Sequence, residues 1–302
     1  MKQMLKTDLQ TSNEFFFAKK HIDKYIRTAI TESTVLAERV QVGMEILRTW
    51  LSQEYEPKKR ARLDVVGSLE AQEIVLRCFV QTAYCTTPQT FVSVASQLAH
   101  VLGFDDRVDA LQTTSEILAV LASTGVYGIE HAENNDSLWI VSRIQLPPNL
   151  VDAAIRAEYL PPMVTPPKRL RKNNESPYFT ITDNVMLGRG NYHAGNLGLD
   201  VINTQNQVPL CLSREFLEAV PEVPTFEVDT LQKQQLWATF VQTSQRLYQM
   251  LFQQGNEFYL TNKVDKRGRL YAQGYHVTTQ GTAFKKAMIE LAKPEIVEGV
   301  PR

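Results

Sequence analysis

The sequence is poor in the features that mark membrane spans, metal sites and polyanion-binding proteins. No apolar run approaches the ~20 residues that a helix needs to cross a bilayer. Only three cysteines occur, Cys78, Cys85 and Cys211, and none shows metal-ligand pairing, so we expect buried, reduced thiols. The formal net charge is −1, and any contact with nucleic acid must therefore come from local basic patches.

Size, composition and the N-terminal stretch narrow the class of protein. A chain of 302 residues exceeds the usual size of a single core, about 250–300 residues, which favours two subdomains. Its 43% hydrophobic and 22% charged residues are ordinary for a globular protein. The start lacks the apolar core and cleavage site of a signal peptide, so we expect a cytoplasmic location and no membrane contact.

Apolar periodicity predicts a mainly α fold with small β elements (α+β). Steps of three and four residues predict helices from about residue 12 to 54, with a break or new cap at 31–34. More helices are predicted after Ser68 as N-cap, after Thr86-Thr87-Pro88 with proline in the first turn, and over 114–123. A long helix over 229–254, with a stripe of apolar residues, is predicted to end at Gly255. The stripe consists of Leu231, Leu236, Phe240, Leu247 and Leu251.

A change to period two predicts one hairpin, over 126–144. Its strands are 126–130 and 138–144, and its turn is polar, with His131, Glu133, Asn134 and Asn135. Helices followed by such a hairpin are typical of a winged-helix arrangement. His131 has no second ligand near it, so a solvated side chain is expected rather than a metal site.

Two basic clusters could contact phosphates. Lys58, Lys59, Arg60 and Arg62 form one, which we interpret either as a solvated loop or as a loop on DNA. The second follows a strap with four prolines in seven residues, and it is either a linker or a nucleic-acid contact. This second cluster consists of Lys168, Arg169, Arg171 and Lys172.

The segment 265–271, Asp-Lys-Arg-Gly-Arg-Leu-Tyr, combines several residue types that can bind nucleic acid. Two guanidiniums, on Arg267 and Arg269, flank Gly268, which lets the backbone approach a ligand closely. Tyr271 can stack on a base or sugar. A strand, a basic turn, a second strand and a helix are predicted over 256–293. Residue types alone also allow an ordinary solvated hairpin.

This segment resembles the start of the palm in single-subunit DNA-dependent RNA polymerases of the phage and mitochondrial kind. The match covers Asp265-Lys266-Arg267-Gly268-Arg269-Leu270-Tyr271-Ala272, then Gln280-Gly281, Lys286 and Leu291-Ala292-Lys293. Weaker similarities keep the same order upstream, across about 45 to 293. They are Ser123-Thr124-Gly125, Pro166-Pro167-Lys168, and Ile202-Asn203 with Gln205-Asn206.

The resemblance implies a role for each region. Template and RNA–DNA hybrid would be bound by Asp265, Arg267, Gly268, Arg269, Tyr271, Gln280 and Lys286. The two basic clusters would contact upstream DNA, and the turn at 131–137 would lie at the edge of the transcription bubble. The expected domains are a helical one over 1–160, a strap with connecting helices over 161–228, a reduced thumb helix over 229–255 and the palm start over 256–302.

The chemistry of that family lies beyond the end of this chain. Nucleotidyl transfer needs carboxylates that hold two metal ions, and none is expected here; Asp105, Asp106 and Asp109 are interpreted as solvated charges. We therefore expect no catalytic residue, metal or cofactor in this chain, and Mg²⁺ in the active site of a partner chain that carries the fingers and the rest of the palm. The chain would be the small subunit of a split phage polymerase, located in the host cytoplasm, or a fragment of a one-chain enzyme.

Two other expectations follow, and two other classes of function remain open. Strand-separating wedges usually insert apolar side chains, so the polar hairpin turn predicts weak melting of duplex DNA. The complex would then depend on a partner, such as a promoter-melting or single-strand-binding protein. Residues 275–293 are expected to expose apolar surface for the partner chain, including a helix that carries Phe284, Met288, Ile289 and Leu291. A free-standing winged-helix-like DNA-binding regulator, or a structural protein, would also fit parts of the sequence.

Overall fold

A computed structural model describes residues 2–100, 102–131, 137–157, 159–188, 191–293 and 299, without the side chains of 2–5 and 232. The chain forms two compact units, Lys19–Ile155 on the one hand and Met1–Ala18 with Arg156–Arg302 on the other. Helices predominate and the strands are short and antiparallel, which confirms a mainly helical α+β fold. Among the described residues, no helix is long and apolar enough to cross a membrane.

The helices and strands follow one another in a mixed order. In chain order they are α1 (Lys2–Phe17), α2 (Lys19–Glu32), α3 (Thr34–Leu51), α4 (Pro57–Gly67), α5 (Ala71–Ala83), β1 (Gln89–Thr90), α6 (Phe91–Ala99), α7 (Arg107–Leu121), β2 (Tyr127–His131), β3 (Leu138–Ser142), α8 (Pro148–Arg156), α9 (Leu199–Asn206), β4 (Leu210–Leu212), α10 (Arg214–Ala219), α11 (Leu231–Gln253), β5 (Asn262–Val264), β6 (Leu270–Ala272), α12 (Ala283–Ala287) and β7 (Ile289–Leu291).

The unit Lys19–Ile155 is a helical core with one small sheet. Apolar residues spaced by four on α2, at Ile22, Ile26 and Ile30, are fully buried, which is the amphipathic pattern that the sequence predicts. The predicted break lies at Ser33, whose hydroxyl caps α3 by accepting the N–H of Leu36 at 3.4 Å. The hairpin is confirmed, since β2 and β3 pair antiparallel with Tyr127 opposite Ser142.

Three local expectations in this unit are wrong. Ser68 ends α4 instead of capping α5, which begins at Ala71. Thr86-Thr87-Pro88 does not open a helix, because the next two residues form β1 and pair with β3; the sheet order is β1-β3-β2. The helix predicted over 114–123 begins earlier, at Arg107, because the Asp106 carboxylate caps it by accepting the N–H groups of Val108 and Asp109.

The second unit is built around α11, and the predicted long helix is confirmed. Thr230 caps it by accepting the N–H of Lys233 at 3.2 Å, and Gly255 follows it with a left-handed φ of +100°. The predicted apolar stripe is only half right. Leu247 and Leu251 are buried, but Leu231 and Leu236 are exposed, because the N-terminal half of α11 is covered by less of the chain.

The end of this unit differs from the expected helical face. Helix α12 stops at Ala287, and β7 pairs antiparallel with β4, with Leu210 opposite Leu291. Met288, the residue between α12 and β7, is fully buried in the core that includes residues of α11. It therefore cannot dock on another chain. Leu291 stays 55% exposed. The expectation of one exposed helix that carries Phe284, Met288, Ile289 and Leu291 is therefore wrong.

Candidate nucleic-acid interface

A single carboxylate organises the turn between β5 and β6. Asp265 Oδ1 accepts the backbone N–H of Arg267 at 2.9 Å and that of Arg269 at 3.0 Å. Its Oδ2 accepts Nε of Arg269 at 2.7 Å. Gly268 has a left-handed φ of +79°, which a residue with a side chain adopts only with strain. The turn is thus closed by the acidic residue at its start and the glycine near its end.

The Asp265 carboxylate holds the Arg269 guanidinium firmly and the Arg267 guanidinium only loosely. The backbone hydrogen bond from Arg269, and then the Arg269 guanidinium, lower the pKa of Asp265 to about 2, so it stays charged at neutral pH. In return, the side-chain hydrogen bond to Asp265 raises the pKa of Arg269. Arg267 is bound more loosely, with Nε 3.8 Å from Oδ2 and 73% of its side chain exposed. One guanidinium is fixed and the other projects into solvent, where a phosphate can reach it.

Tyr271 lies against Asp265 and Arg269, whereas Gln280 bonds to the backbone of β6. The Tyr271 hydroxyl lies 3.4 Å from Oδ2 of Asp265, and its ring centroid is 5.5 Å from the guanidinium carbon of Arg269. The Gln280 amide donates to the carbonyl of Leu270 at 3.1 Å and accepts the N–H of Ala272 at 3.0 Å. Gln280 therefore closes the outer edge of β6. Lys286 is exposed on α12.

The second basic cluster forms a tight, exposed turn. Glu175 Oε2 accepts the backbone N–H of Arg171 at 2.6 Å and that of Lys172 at 3.2 Å, which also lowers the pKa of Glu175. The side chains of Lys168, Arg169, Arg171 and Lys172 are exposed around this turn. Leu170, between them, is buried and anchors the turn to the core.

Two asparagines of α9 fasten this basic turn and the β5–β6 hairpin to one helix. Asn203 makes a pair of 2.8 Å hydrogen bonds with the backbone of Leu170, one as donor and one as acceptor. Asn206 Oδ1 accepts the N–H of Asn262 at 2.8 Å. Both asparagines are buried, so these bonds are shielded from water. The sequence contains both residues, but their partners are more than 30 positions away and could not be read from it.

A small apolar cluster supports the same arrangement. It joins Leu170 of the basic turn, Ile202 of α9 and Val264 of the hairpin with Val185 and Met186. Backbone bonds add to it, with Val264 donating to Val185 at 2.9 Å and Leu187 donating to Val264 at 2.8 Å. Seven exposed or partly exposed cations thus lie on two turns that share one buried support. They are Lys168, Arg169, Arg171, Lys172, Lys266, Arg267 and Arg269.

The first basic cluster is not a loop, and that expectation is wrong. Pro57 opens α4, so the cations lie on its first turns. Arg62 is buried and donates to Thr113 at 2.7 Å and to Glu116 at 3.0 Å. Lys59 pairs with the same carboxylate at 3.1 Å. These two cations hold α4 on α7 and are not free for DNA.

The two other cations of that cluster lie on the surface. Arg60 is exposed, but it pairs with Asp64 at 2.7 Å and donates to the carbonyl of Leu51 at 2.8 Å. Lys58 is exposed at the start of α4. Of the bubble-edge residues, His131 is exposed at the end of β2, opposite Leu138. Glu133, Asn134 and Asn135 lie outside the described residues.

Sequence reasoning missed an aromatic cluster where α11 meets the segment after β6. The rings of Tyr159 and Tyr275 stack with their centroids 3.7 Å apart, and Phe240 stacks on His276 at 5.0 Å. Trp237 also stacks on Phe240, with ring centroids 5.2 Å apart. Aromatic residues three apart on a predicted helix were the available signal, but their partners come from distant segments.

A buried lysine and a neutral histidine lie inside this aromatic cluster. Lys285 Nζ donates to the carbonyl of Tyr275 at 2.7 Å and lies 4.6 Å from the centroid of its ring. Burial lowers the pKa of Lys285, and the charge of Glu222 opposes that shift. Burial, and then the charge of Lys285, lower the pKa of His276 to about 4; its Nδ1 lies 2.7 Å from Oγ of Ser244. The cluster fixes α11 against the chain that leaves the hairpin.

No group of three or more His, Cys, Asp or Glu side chains that could hold a metal ion occurs among the described residues. The described cysteines are free thiols, and burial raises the pKa of Cys78 to about 12 and that of Cys85 to about 11. The chain matches no family model and no curated protein.

Proposed function

We propose that this chain is the template- and hybrid-binding subunit of a two-chain DNA-dependent RNA polymerase. Its partner would supply the carboxylates, the Mg²⁺ ions and the fingers for nucleotidyl transfer, and this chain alone would be inactive. The observation that carries the proposal is the Asp265–Tyr271 turn, in which one guanidinium is fixed and the other is exposed and only loosely paired. The sequence resemblance to the single-subunit polymerases centres on the same residues.

The shared support of the two basic turns strengthens this proposal. A nucleic-acid duplex presents phosphates along its length, so a protein that holds it needs several cations at fixed separations. The α9 asparagines and the cluster around Leu170 and Val264 hold the two turns in this way. A hairpin with merely solvated charges would not need buried hydrogen bonds to the same helix that holds a second basic turn.

The unit Lys19–Ile155 would be the upstream-DNA side of the polymerase. Its elements α5, β1, α6, α7, β2 and β3, with the sheet order β1-β3-β2, support a winged-helix-like interpretation. Lys58 and Arg60 remain proposed DNA contacts, whereas Lys59 and Arg62 serve the packing of α4.

We further propose that the polar hairpin turn melts duplex DNA poorly. A permanganate footprint that shows unaided opening of a linear duplex promoter would disprove this last point.

The experiment is reconstitution with a second chain that carries an aspartate-rich palm. Templated RNA synthesis is measured with wild type, Arg267→Ala and Arg269→Ala at several salt concentrations. We expect synthesis only with both chains, and a loss of about tenfold or more for each variant, as for a charge-assisted contact of about 1.5–3 kcal/mol. Arg246→Ala, an exposed arginine of α11, is the matched control and should synthesise like wild type. Wild-type rates for both turn variants would contradict the proposal.

A second candidate is a free-standing DNA-binding regulator, which the β1-β3-β2 sheet with its helices favours. The charges of α7 weigh against it, because Asp105, Asp106 and Asp109 surround Arg107 at the start of that helix. Duplex binding by this chain alone, with a steep salt dependence that Arg267→Ala does not change, would favour the regulator.

A further inference from the structure

The segment 220–228, Val-Pro-Glu-Val-Pro-Thr-Phe-Glu-Val, joins α10 to α11 without regular secondary structure and bends at Thr225 and Phe226. Val220 has φ −122° and ψ 114°, and each of the two prolines biases its preceding residue, Val220 or Val223, to an extended backbone. Phe226 rests edge-on against Trp237 with centroids 6.2 Å apart, and Gln234 Nε2 donates to the carbonyl of Val228 at 3.4 Å. These contacts hold the C-terminal end of the segment, and the two prolines stiffen the part before it.

Its side chains and its backbone are both available to a partner. Val223 is 68% exposed and Phe226 49%. Within the described part of the chain, the amide N–H groups of Glu222, Val223, Thr225 and Phe226 donate no hydrogen bond. Leu231 and Leu236, on the first turns of the helix that follows, are exposed as well. Proline-containing segments with free amides and exposed apolar side chains are what proline-recognising grooves bind.

Charge decides which class of macromolecule fits. Residues 214–236 carry five carboxylates and two cations, and both cations lie within 4.0 Å of a carboxylate of the same segment. A phosphate backbone would be repelled by this surface, since nucleic acids bind where cations are in excess. A protein groove with an apolar floor and lysines or arginines at its rim would be complementary.

We propose that segment 220–228 is the docking site for the second chain of the complex, which binds it through an apolar groove with a cationic rim. This inference rests on the proposed function, because it takes the second polymerase chain as the occupant. The docking site is separate from the two basic turns, which contact nucleic acid. The prolines favour binding because the segment loses little conformational freedom when it is bound.

The test measures the affinity of the purified second chain for wild type, Val223→Asp and the charge reversal Glu227→Lys. We expect Val223→Asp to weaken binding about tenfold or more, as for a buried side chain at the centre of an interface. Glu227→Lys should weaken binding and reduce its dependence on salt. Val35→Asp is the control, at an exposed valine of α3, and should bind like wild type. Circular dichroism checks that all variants remain folded.

The outcomes separate the inference from the proposed function. Equal affinity of wild type and Val223→Asp, together with templated synthesis, would overturn the docking site and leave the proposed function intact. Failure of wild type to bind the second chain, with no synthesis by the mixture, would overturn both. Loss of single-stranded oligonucleotide binding in Val223→Asp, with unchanged affinity for the second chain, would identify a nucleic-acid surface and overturn the inference.

Discussion

The carboxylate of Glu14, on α1, is fully buried and is surrounded by donors. Its oxygens accept the backbone N–H of Phe179 at 2.9 Å and that of Thr180 at 2.6 Å, the Thr180 hydroxyl at 2.8 Å and the Gln10 amide at 2.9 Å. Hydrogen bonds to an ionised acceptor are about twice as strong as neutral ones. This one side chain therefore fastens α1 to the segment that follows the basic turn.

Glu14→Gln should lower the free energy of unfolding by about 2–4 kcal/mol. The amide that replaces one oxygen would face N–H groups, which leaves buried donors unsatisfied. Urea unfolding measures the change. Asp8→Asn, at an exposed position on the same helix, should stay within about 0.5 kcal/mol of wild type. Equal stability of Glu14→Gln and wild type would contradict the role given to this carboxylate.

His276 makes the stability of the aromatic cluster dependent on pH. Its pKa in the fold, about 4, lies below the ordinary value of 6.5, so the unfolded chain binds the proton more tightly. The contribution is therefore complete above pH 6.5 and is lost as the pH falls towards 4. The full difference corresponds to about 3 kcal/mol.

His276→Gln should unfold with a weaker pH dependence than wild type between pH 6.5 and 4. Urea unfolding at several pH values measures this slope, and carboxylates contribute equally to both proteins. His100→Gln, at an exposed histidine, is the control and should keep the wild-type slope. Identical slopes for His276→Gln and wild type would show that the buried imidazole is not the group concerned.

At the scale of elements, α9 is the part that holds the candidate interface together. Asn203→Ala and Asn206→Ala should each lower the free energy of unfolding by about 1–3 kcal/mol, because each leaves buried backbone groups without partners. Hydrogen exchange should also speed up locally, at Leu170 in the first variant and at Asn262 in the second.

Thr204→Ala is the matched control for these two variants. The Thr204 hydroxyl is exposed and only donates to the carbonyl of Asp200 within α9. Exchange at Leu170 and Asn262 should therefore remain as in wild type. If Asn203→Ala left exchange at Leu170 unchanged, the helix would not be the support of the basic turn.

Helices that depend on signals near them in the sequence were predictable, whereas strands that depend on a distant pairing partner were not. Periodicity predicted α11 and Gly255 predicted its end, because these signals act within a few residues of the helix. The β4–β7 pair joins Leu210 to Leu291, and no local pattern indicates a partner so distant. Strand β1 has two residues and exists only through its pairing with β3.

At the scale of the whole molecule, residue types predicted chemistry better than they predicted exposure. The turn 265–271 was predicted as a basic hairpin, and it is one, since Asp265, Gly268 and the arginines are close in sequence. Arg62 was taken as a surface cation, but Glu116, which neutralises it, is 54 positions away on α7. Burial of a charge depends on such distant partners, and a single sequence does not contain that information.

The central claim is that the 265–271 turn touches the template or the hybrid, and photo-crosslinking tests it most directly. The reconstituted complex is assembled on a template that carries 4-thiothymidine beside the growing RNA end, irradiated, and digested for mass spectrometry. We predict crosslinks on the peptide that contains Arg267 to Tyr271, and their loss in Arg267→Ala with Arg269→Ala. Crosslinks confined to other peptides of this chain, in a complex that makes RNA, would contradict the account.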